Sequence, residues 1–292
     1  MQNTPLLWAR PLWKTVLPGT HDSGAYNLSL ERVPAGCRDA PDIIPATVVQ
    51  PFATAQSKTL VLQLAGGIRY FDIRPVLHNN DFYLYHDCIG SQPFSTELDH
   101  IADFLSQEGP ELVILKVGAF CSFDDSVHAR FVKLLNDKIG RWLYKGSTDG
   151  LLARPMGELM VPTANVFLIY GDDYIVSHPT PGFLRTLPIN GDYSNTTDVN
   201  AMWADQRTKL RKDSTPSNLF MLNWTLTFRS DHWMDDATYY SLHNISKAAS
   251  RNLGNFINET YNSTPNTNYQ MNILSVDFFE ETKNGDELGS GL

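Results

Sequence analysis

The run Pro18-Gly19-Thr20-His21-Asp22-Ser23-Gly24 puts a histidine, a carboxylate and a hydroxyl into one tight turn, directly after the short apolar stretch from Trp13 to Leu17. Further on come Gly67-Ile68-Arg69-Tyr70-Phe71-Asp72-Ile73-Arg74 and Phe82-Tyr83-Leu84-Tyr85-His86-Asp87. Two histidines and an arginine, each closing a strand-like run, have the functional groups that phosphodiester cleavage needs. One imidazole can take a proton, the other can give one, and the guanidinium can hold the phosphate charge.

Each residue also has a plainer reading. His21 reads as a general base or as a turn histidine that Gly19 and Gly24 allow. His86 reads as a general acid or as a satisfied histidine at a strand end. The pair is more telling than either alone, because imidazoles titrating near about 6.5 can divide the two roles around neutrality. Asp72 and Arg74 alternate on one strand and share a face, so they form an ion pair or present Arg74 to a phosphate. Arg69 falls on the other face, toward a helix or solvent. Asp277, late in an apolar run, reads as a carboxylate orienting His21 or as an N-cap for Glu280-Glu281. Lys116 is the only charge in Leu112 to Val117 and either lines an interior or snorkels out.

Other chemistries lack their residues. There is no Gly-rich phosphate loop, Cys/His metal cluster or Gly-x-Ser-x-Gly elbow. Ser23 is therefore not read as a nucleophile. A hard cation at Asp22, Asp72 and Asp87 is conceivable, but Arg74 already supplies positive charge there, so no metal is assigned and calcium is disfavoured.

The elements that must position these groups alternate. Strand-like runs cover Leu12 to Leu17, Ile68 to Arg74, Phe82 to His86, Leu112 to Val117, Val166 to Tyr170, Leu219 to Trp224 and Ile273 to Phe278. Helical periodicity appears in Leu98, Ile101, Phe104 and Leu105, with Thr96 and Asp99 resembling a capping box. It recurs in Val127, Phe131, Leu134, Leu135 and Ile139. A weaker third pattern runs from Ser241 to Leu253 and is expected to end at Gly254. The segments Arg32 to Lys58 and Gly171 to Asn200 lack periodicity and are expected to be long rim loops. Alternation over 292 residues predicts an α/β chain folded as one (β/α) barrel rather than an open sheet. Residues 1–281 are expected to form that single domain, with 282–292 a flexible tail.

Composition narrows the partners. Hydrophobic residues make up 42% of the chain, enough for a large core, and the net charge is −9. Acidity argues against nucleic acid and against electrostatic adhesion to anionic membranes. With 6 Trp, 12 Tyr and 15 Phe, a lipid surface would be met by aromatic rim loops instead. No apolar run of membrane-spanning length and no targeting segment is visible. Cys37, Cys88 and Cys121 leave at least one thiol free and allow one disulfide. Asn-x-Ser/Thr sites fall at Asn27, Asn195, Asn223, Asn244, Asn258 and Asn262, a hint of secretion, although Asn223 sits in an apolar run. A secreted or peripheral-membrane monomer is favoured over a cytoplasmic one.

The motifs resemble the phosphatidylinositol-specific phospholipase C X-domain superfamily, closer to its bacterial-type and single-X-domain members than to the large calcium-regulated enzymes. The matching text is Leu17-Pro18-Gly19-Thr20-His21-Asp22-Ser23, Gly67 to Arg74, Tyr85-His86, Glu111 to Leu115 and Val276-Asp277-Phe278. The resemblance implies a distorted TIM-type barrel that acts on a phospholipid at a membrane surface. In that chemistry the inositol 2-hydroxyl attacks phosphorus, diacylglycerol leaves, and a cyclic phosphodiester forms that water can open. It implies His21 as general base, His86 as general acid, Asp22 assisting His86 and Asp277 assisting His21. Arg74 stands where metal-independent members carry arginine in place of calcium, and Asp72 resembles a supporting carboxylate. The family's inositol-contacting lysine aligns with Gly118, leaving Lys116 two residues earlier on the same face. Asp205 in Trp203-Ala204-Asp205 is a further candidate inositol ligand. Two other readings stay open: a metal-dependent barrel of the glycerophosphodiesterase or sphingomyelinase D kind, and a non-catalytic barrel that binds lipid or inositol phosphate.

Overall fold

Eight parallel strands form the frame. In a computed structural model describing residues 5–107, 109–160, 165–228, 241–262 and 269–281, the strands are β1 (Leu17–Thr20), β2 (Leu28–Arg32), β3 (Tyr70–Ile73), β4 (Pro75–His78), β5 (Asp81–His86), β6 (Cys88–Pro93), β7 (Leu112–Val117), β8 (Asn165–Tyr170), β9 (Phe183–Leu184), β10 (Ile189–Asn190), β11 (Leu219–Trp224) and β12 (Ile273–Val276). The helices are α1 (Pro5–Trp8), α2 (Ala46–Ala53), α3 (Leu60–Ala65), α4 (Phe94–Gln107), α5 (Asp125–Ile139), α6 (Met156–Met160), α7 (Tyr174–Ser177), α8 (Val199–Asp213) and α9 (Leu242–Asn262). The curled parallel sheet runs β10-β11-β12-β1-β3-β7-β8-β9, and a second, antiparallel sheet runs β2-β6-β5-β4. This is an α/β, distorted TIM-type barrel in a single domain. Among the described residues β9 and β10 do not pair, so the ring is left open there.

Strand alternation sorts the core into two layers. Leu17, Tyr70, Leu112, Ile114, Phe167, Leu219, Met221 and Ile273 point inward and fill the barrel. Phe71, Ile73, Val113, Leu115, Leu168, Leu222 and Val276 point outward beneath the helices. The helices start where the sequence supplies caps. Asp124 accepts the N–H of Val127 at 2.9 Å to open α5, and Asp198 accepts those of Asn200 and Ala201 to open α8.

Several sequence expectations need correction. Leu12 to Leu17 is not one strand: Leu12–Lys14 is a 3-10 turn whose Leu12 plugs the barrel interior, and β1 begins at Leu17. Phe82 to His86 is a strand, but of the antiparallel sheet rather than the barrel. Helix α4 begins at Phe94, so Thr96 and Asp99 lie inside it, and Asp99 pairs with Lys138 of α5 at 2.6 Å instead of capping. Helix α9 passes through Gly254 because Phe256, fully buried on the next turn, continues its apolar face. The supposed loop from Arg32 to Lys58 contains α2. Arg69 does meet a helix: it donates to the Leu64 carbonyl at the end of α3 and pairs with buried Glu111 at 2.7 Å. Cys37 and Cys121 form a disulfide, with Cys88 free and buried. No helix among the described residues is long and apolar enough to cross a membrane. The expected tail, 282–292, lies outside the described residues.

Candidate active site

The opening motif builds its own scaffold. Strand β1 lies between β12 and β3, with Thr20 opposite Val276 and Phe71. The next residue, His21, donates its backbone N–H to Val276 at 3.1 Å, and the chain then reverses. Thr20 and Ser23 lock the reversal: Thr20 Oγ1 donates to Ser23 Oγ at 2.8 Å, and Ser23 Oγ accepts the backbone N–H of Asp72 at 2.8 Å. Ser23 is thus a hinge pin for the turn. Gly24 completes it, because a Cβ there would sit 2.3 Å from Leu84 Cδ1.

His21, His86 and Asp277 are each followed by a residue with left-handed backbone: Asp22 (φ 42°), Asp87 (φ 55°) and Phe278 (φ 45°). Such geometry ends a strand abruptly and aims its last side chain out of the ladder. At Phe278, where the bulky side chain makes it least favourable, the backbone N–H is tied to Ala55 at 2.9 Å.

The side chains then converge. His21 Nδ1 lies 2.9 Å from Asp277 Oδ1, and His21 Nε2 lies 3.1 Å from Asp22 Oδ2. Asp22 Oδ2 is also 3.4 Å from His86 Nδ1, so one carboxylate touches both imidazoles. The two rings stand 6.4 Å apart, centroid to centroid. Arg74 Nε meets Asp22 Oδ1 at 2.5 Å, and its Nη2 meets Asp72 Oδ2 at 3.1 Å, while the same nitrogen lies 3.4 Å from His21 Nε2. His86 Nδ1 faces the Ala53 carbonyl at 2.7 Å. A carbonyl only accepts, so Nδ1 carries the proton and Nε2 is left for other partners.

Charge follows from this geometry. Burial works against a charged His21, but the Asp22 and Asp277 carboxylates outweigh it and raise its pKa from 6.5 to about 9. Burial pushes Asp22 up, yet Arg74 and both imidazoles hold it down at about 2. For Asp277 burial wins over His21, and its value is raised. Arg74, half-buried and flanked by Asp22 and Asp72, is held well above its ordinary value and stays cationic. His21, Asp22 and Asp72 each place a donor atom within 4.8 Å of the others, a spacing a cation could use. The Arg74 guanidinium, bridging Asp22 and Asp72, fills that role with a fixed charge.

A groove of about 470 Å³ opens over these groups. Its lining combines ionic and polar groups, His21, Arg74, His86 and Asp39, with apolar ones, Val49, Phe52, Ala53, Leu226, Phe228 and Leu242. Sequence reasoning missed Tyr193 and Asp39, and read Asp87 only as a conceivable cation ligand. The Tyr193 ring lies 5.1 Å from His21 in the groove. Asp39 comes within 3.8 Å of His86 Nε2. Asp87 clamps the loop that carries Asp39: it pairs with Arg32 at 2.9 Å and accepts the backbone N–H groups of Asp39 and Ala40. Tyr193 and Asp39 hang on backbone without periodicity, and only Tyr193, in Gly-Asp-Tyr-Ser, carried a local turn signal.

The predicted residues His21, Asp22, Asp72, Arg74, His86 and Asp277 all meet. Lys116 shares the inward face and stands beside Asp72 in register, but does not line the groove. Asp205 does not reach the site either. It lies on α8, bound by Ser194 Oγ at 2.7 Å and by Lys209, one helical turn away, at 2.7 Å.

No family model matches the chain. Among curated proteins it is 26% identical over 212 residues to human PI-PLC X domain-containing protein 2, covering 68% of this chain and 67% of that protein. It is 31% identical over 121 residues to the 1-phosphatidylinositol phosphodiesterase of Listeria monocytogenes, covering 41% and 33%. Among solved structures, the phosphatidylinositol-specific phospholipase C of Listeria monocytogenes superposes with a TM-score of 0.66 at 20% identity, over 96% of this chain and 95% of that one. The F249X mutant of the Staphylococcus aureus enzyme superposes with a TM-score of 0.63 at 18% identity, over 93% and 88%.

These likenesses support the phosphatidylinositol-specific phospholipase C X-domain superfamily. The matched stretches span about two thirds of the human X-domain protein and a third of the Listeria phosphodiesterase. The structural likeness carries the barrel fold across nearly the whole chain.

Proposed function

We propose that this X-domain protein is a phospholipase C-like phosphodiesterase that cleaves phosphatidylinositol or a related phosphodiester lipid without a metal. The observation that carries the reading is the pair of imidazoles 6.4 Å apart, with Arg74 against His21 in the same groove. The mixed ionic and apolar lining suits a substrate with a charged head and a hydrocarbon body.

In the first stage His21 Nε2 takes the proton of the inositol 2-hydroxyl. That oxygen bonds to phosphorus as the bond from phosphorus to the diacylglycerol oxygen breaks. His86 gives the leaving oxygen a proton, and a cyclic phosphodiester remains. Asp277 stabilises the imidazolium at His21 Nδ1. Arg74 holds the non-bridging oxygens, and Asp72 fixes Arg74. In the second stage the roles reverse: His86 takes a proton from water, and His21 returns one to the inositol oxygen. For the first stage to start, substrate must displace Asp22 from His21 Nε2. On this reading residues up to 281 form the catalytic unit.

The test is release of water-soluble inositol phosphate from phosphatidylinositol vesicles, with and without EDTA. Equal release in both supports the reading. Release abolished by EDTA and restored by magnesium or calcium contradicts the metal-free part, and no release from any phosphodiester lipid contradicts the whole.

A further inference from the structure

The inward-facing residues of β11 and its continuation climb as Met221, Asn223, Thr225 and Thr227. Met221 belongs to the apolar interior, and Thr227 lines the catalytic groove. Between them Asn223 and Thr225 are 1% and 2% exposed. Among the described residues Nδ2 and Oδ1 of Asn223 and Oγ1 of Thr225 have no hydrogen-bond partner.

The parallel register brings them close. Asn223 stands opposite Ser275 and Trp224 opposite Val276, and Thr225 and Asp277 are the next residues after these two strands. Asp277 places Oδ1 on His21 and leaves Oδ2 buried without a partner. Unpaired atoms thus lie at neighbouring levels near the ends of two adjacent strands. Buried polar groups are satisfied by one another or by enclosed water, and here donors and acceptors match. The Asn223 amide and the Thr225 hydroxyl can donate, and Asp277 Oδ2 can only accept.

We propose that Thr225 and Asn223 form an internal polar relay ending on Asp277 Oδ2, with the Thr225 hydroxyl donating to it through one enclosed water. They are positioning residues for the Asp277–His21 pair. The relay stops the Asp277 carboxylate from rotating, keeps Oδ1 aimed at His21 Nδ1, and favours the carboxylate form against burial. The other charged groups acting on Asp277 are His21, Asp22 and His86. The catalytic consequence rests on the phosphodiesterase reading, whereas the relay itself does not.

The test compares wild type with Thr225→Val, which keeps shape and removes the hydroxyl, and Thr225→Ser, which restores it. The first readout is the downfield proton resonance of His21 Nδ1–H, assigned by its loss in His21→Ala. The expected result is that Thr225→Val moves or abolishes this resonance and Thr225→Ser retains it. In turnover, Thr225→Val is expected to lower kcat about tenfold with KM nearly unchanged, the loss of one hydrogen bond to a charged group. A folded Thr225→Val with the wild-type resonance and kcat overturns the proposal. Should that variant not fold, a high-resolution crystal structure of the wild type decides: Asp277 Oδ2 sharing no enclosed water with Thr225 overturns it. The resonance needs no substrate, so absence of lipid turnover would defeat the phosphodiesterase reading and leave the relay test intact.

Discussion

His21 Nδ1 and Asp277 Oδ1 lie 2.9 Å apart although 256 positions separate them in the chain. Adjacent parallel strands make this contact. Thr20 and Val276 are register partners, so the first residue past β1 and the first past β12 leave the sheet side by side. The pair joins the chain's most informative motif to its least informative one.

The two carboxylates on His21 set a pH dependence. A base must be neutral to act, and His21 is held up to about 9. The ascending limb of kcat/KM is therefore expected near pH 9 rather than 6.5, since that parameter reports the free enzyme. Asp277→Asn removes one of the raising charges and is expected to move the limb down while lowering kcat. A wild-type limb at 6.5, unmoved in Asp277→Asn, contradicts this.

Stability should follow the same charges with opposite signs. A raised histidine contributes stability that is full below 6.5 and is lost as pH rises through about 9. The lowered Asp22 contributes stability that is full above 3.8 and is lost as pH falls through about 2. Chemical denaturation across pH checks both. In His21→Ala, the stability difference from wild type is expected to narrow between pH 6.5 and 9 and not on the acid side of 6.5.

Arg74 forks between Asp22 and Asp72, which a lysine cannot reproduce. Arg74→Lys keeps the charge and loses the planar geometry, so kcat/KM is expected to fall about a hundredfold, as for one lost transition-state donor. Steady-state kinetics on phosphatidylinositol vesicles measures it. Near wild-type activity in Arg74→Lys would mean that a point charge suffices.

The Cys37–Cys121 bridge closes a loop with a sequence separation of 84. Chain entropy assigns such a bridge about 4–5 kcal/mol. The double variant Cys37→Ser/Cys121→Ser is expected to lose stability of about that size in urea unfolding. Activity should fall as well, since Asp39, on the tethered loop, stands beside His86. A loss below about 1 kcal/mol would place the bridge outside the two-state core.

What the sequence made legible was local. Leu112–Val117 and Leu219–Trp224 read as strands with their observed bounds, because fully buried parallel strands are continuous apolar runs. His21, Arg74 and His86 were legible because each closes such a run. Membership of a particular sheet was not: Phe82 to His86 carries the same apolar text whether it pairs in parallel or antiparallel. Helix α2 was hidden by Pro45 and Pro51; proline is tolerated at a helix start, where Pro45 is the N-cap, but Pro51 lies inside the helix. Tyr193 and Asp39 escaped because loops impose no period, and their positions are fixed by contacts formed only in the folded chain. Asp205 misled because its neighbourhood in the chain, a helix facing Ser194, says nothing about its distance from the groove.

The account depends on two imidazoles acting on one phosphate. The most direct measurement is phosphorus NMR of phosphatidylinositol vesicles incubated with wild type, His21→Ala and His86→Ala at matched concentrations. The expected result is a cyclic inositol phosphate resonance with wild type, and a rate lower by about a hundredfold or more in each variant, since each removes one proton-transfer partner. Wild-type rates of cyclic product in either variant, or a first product that is never cyclic, would contradict it.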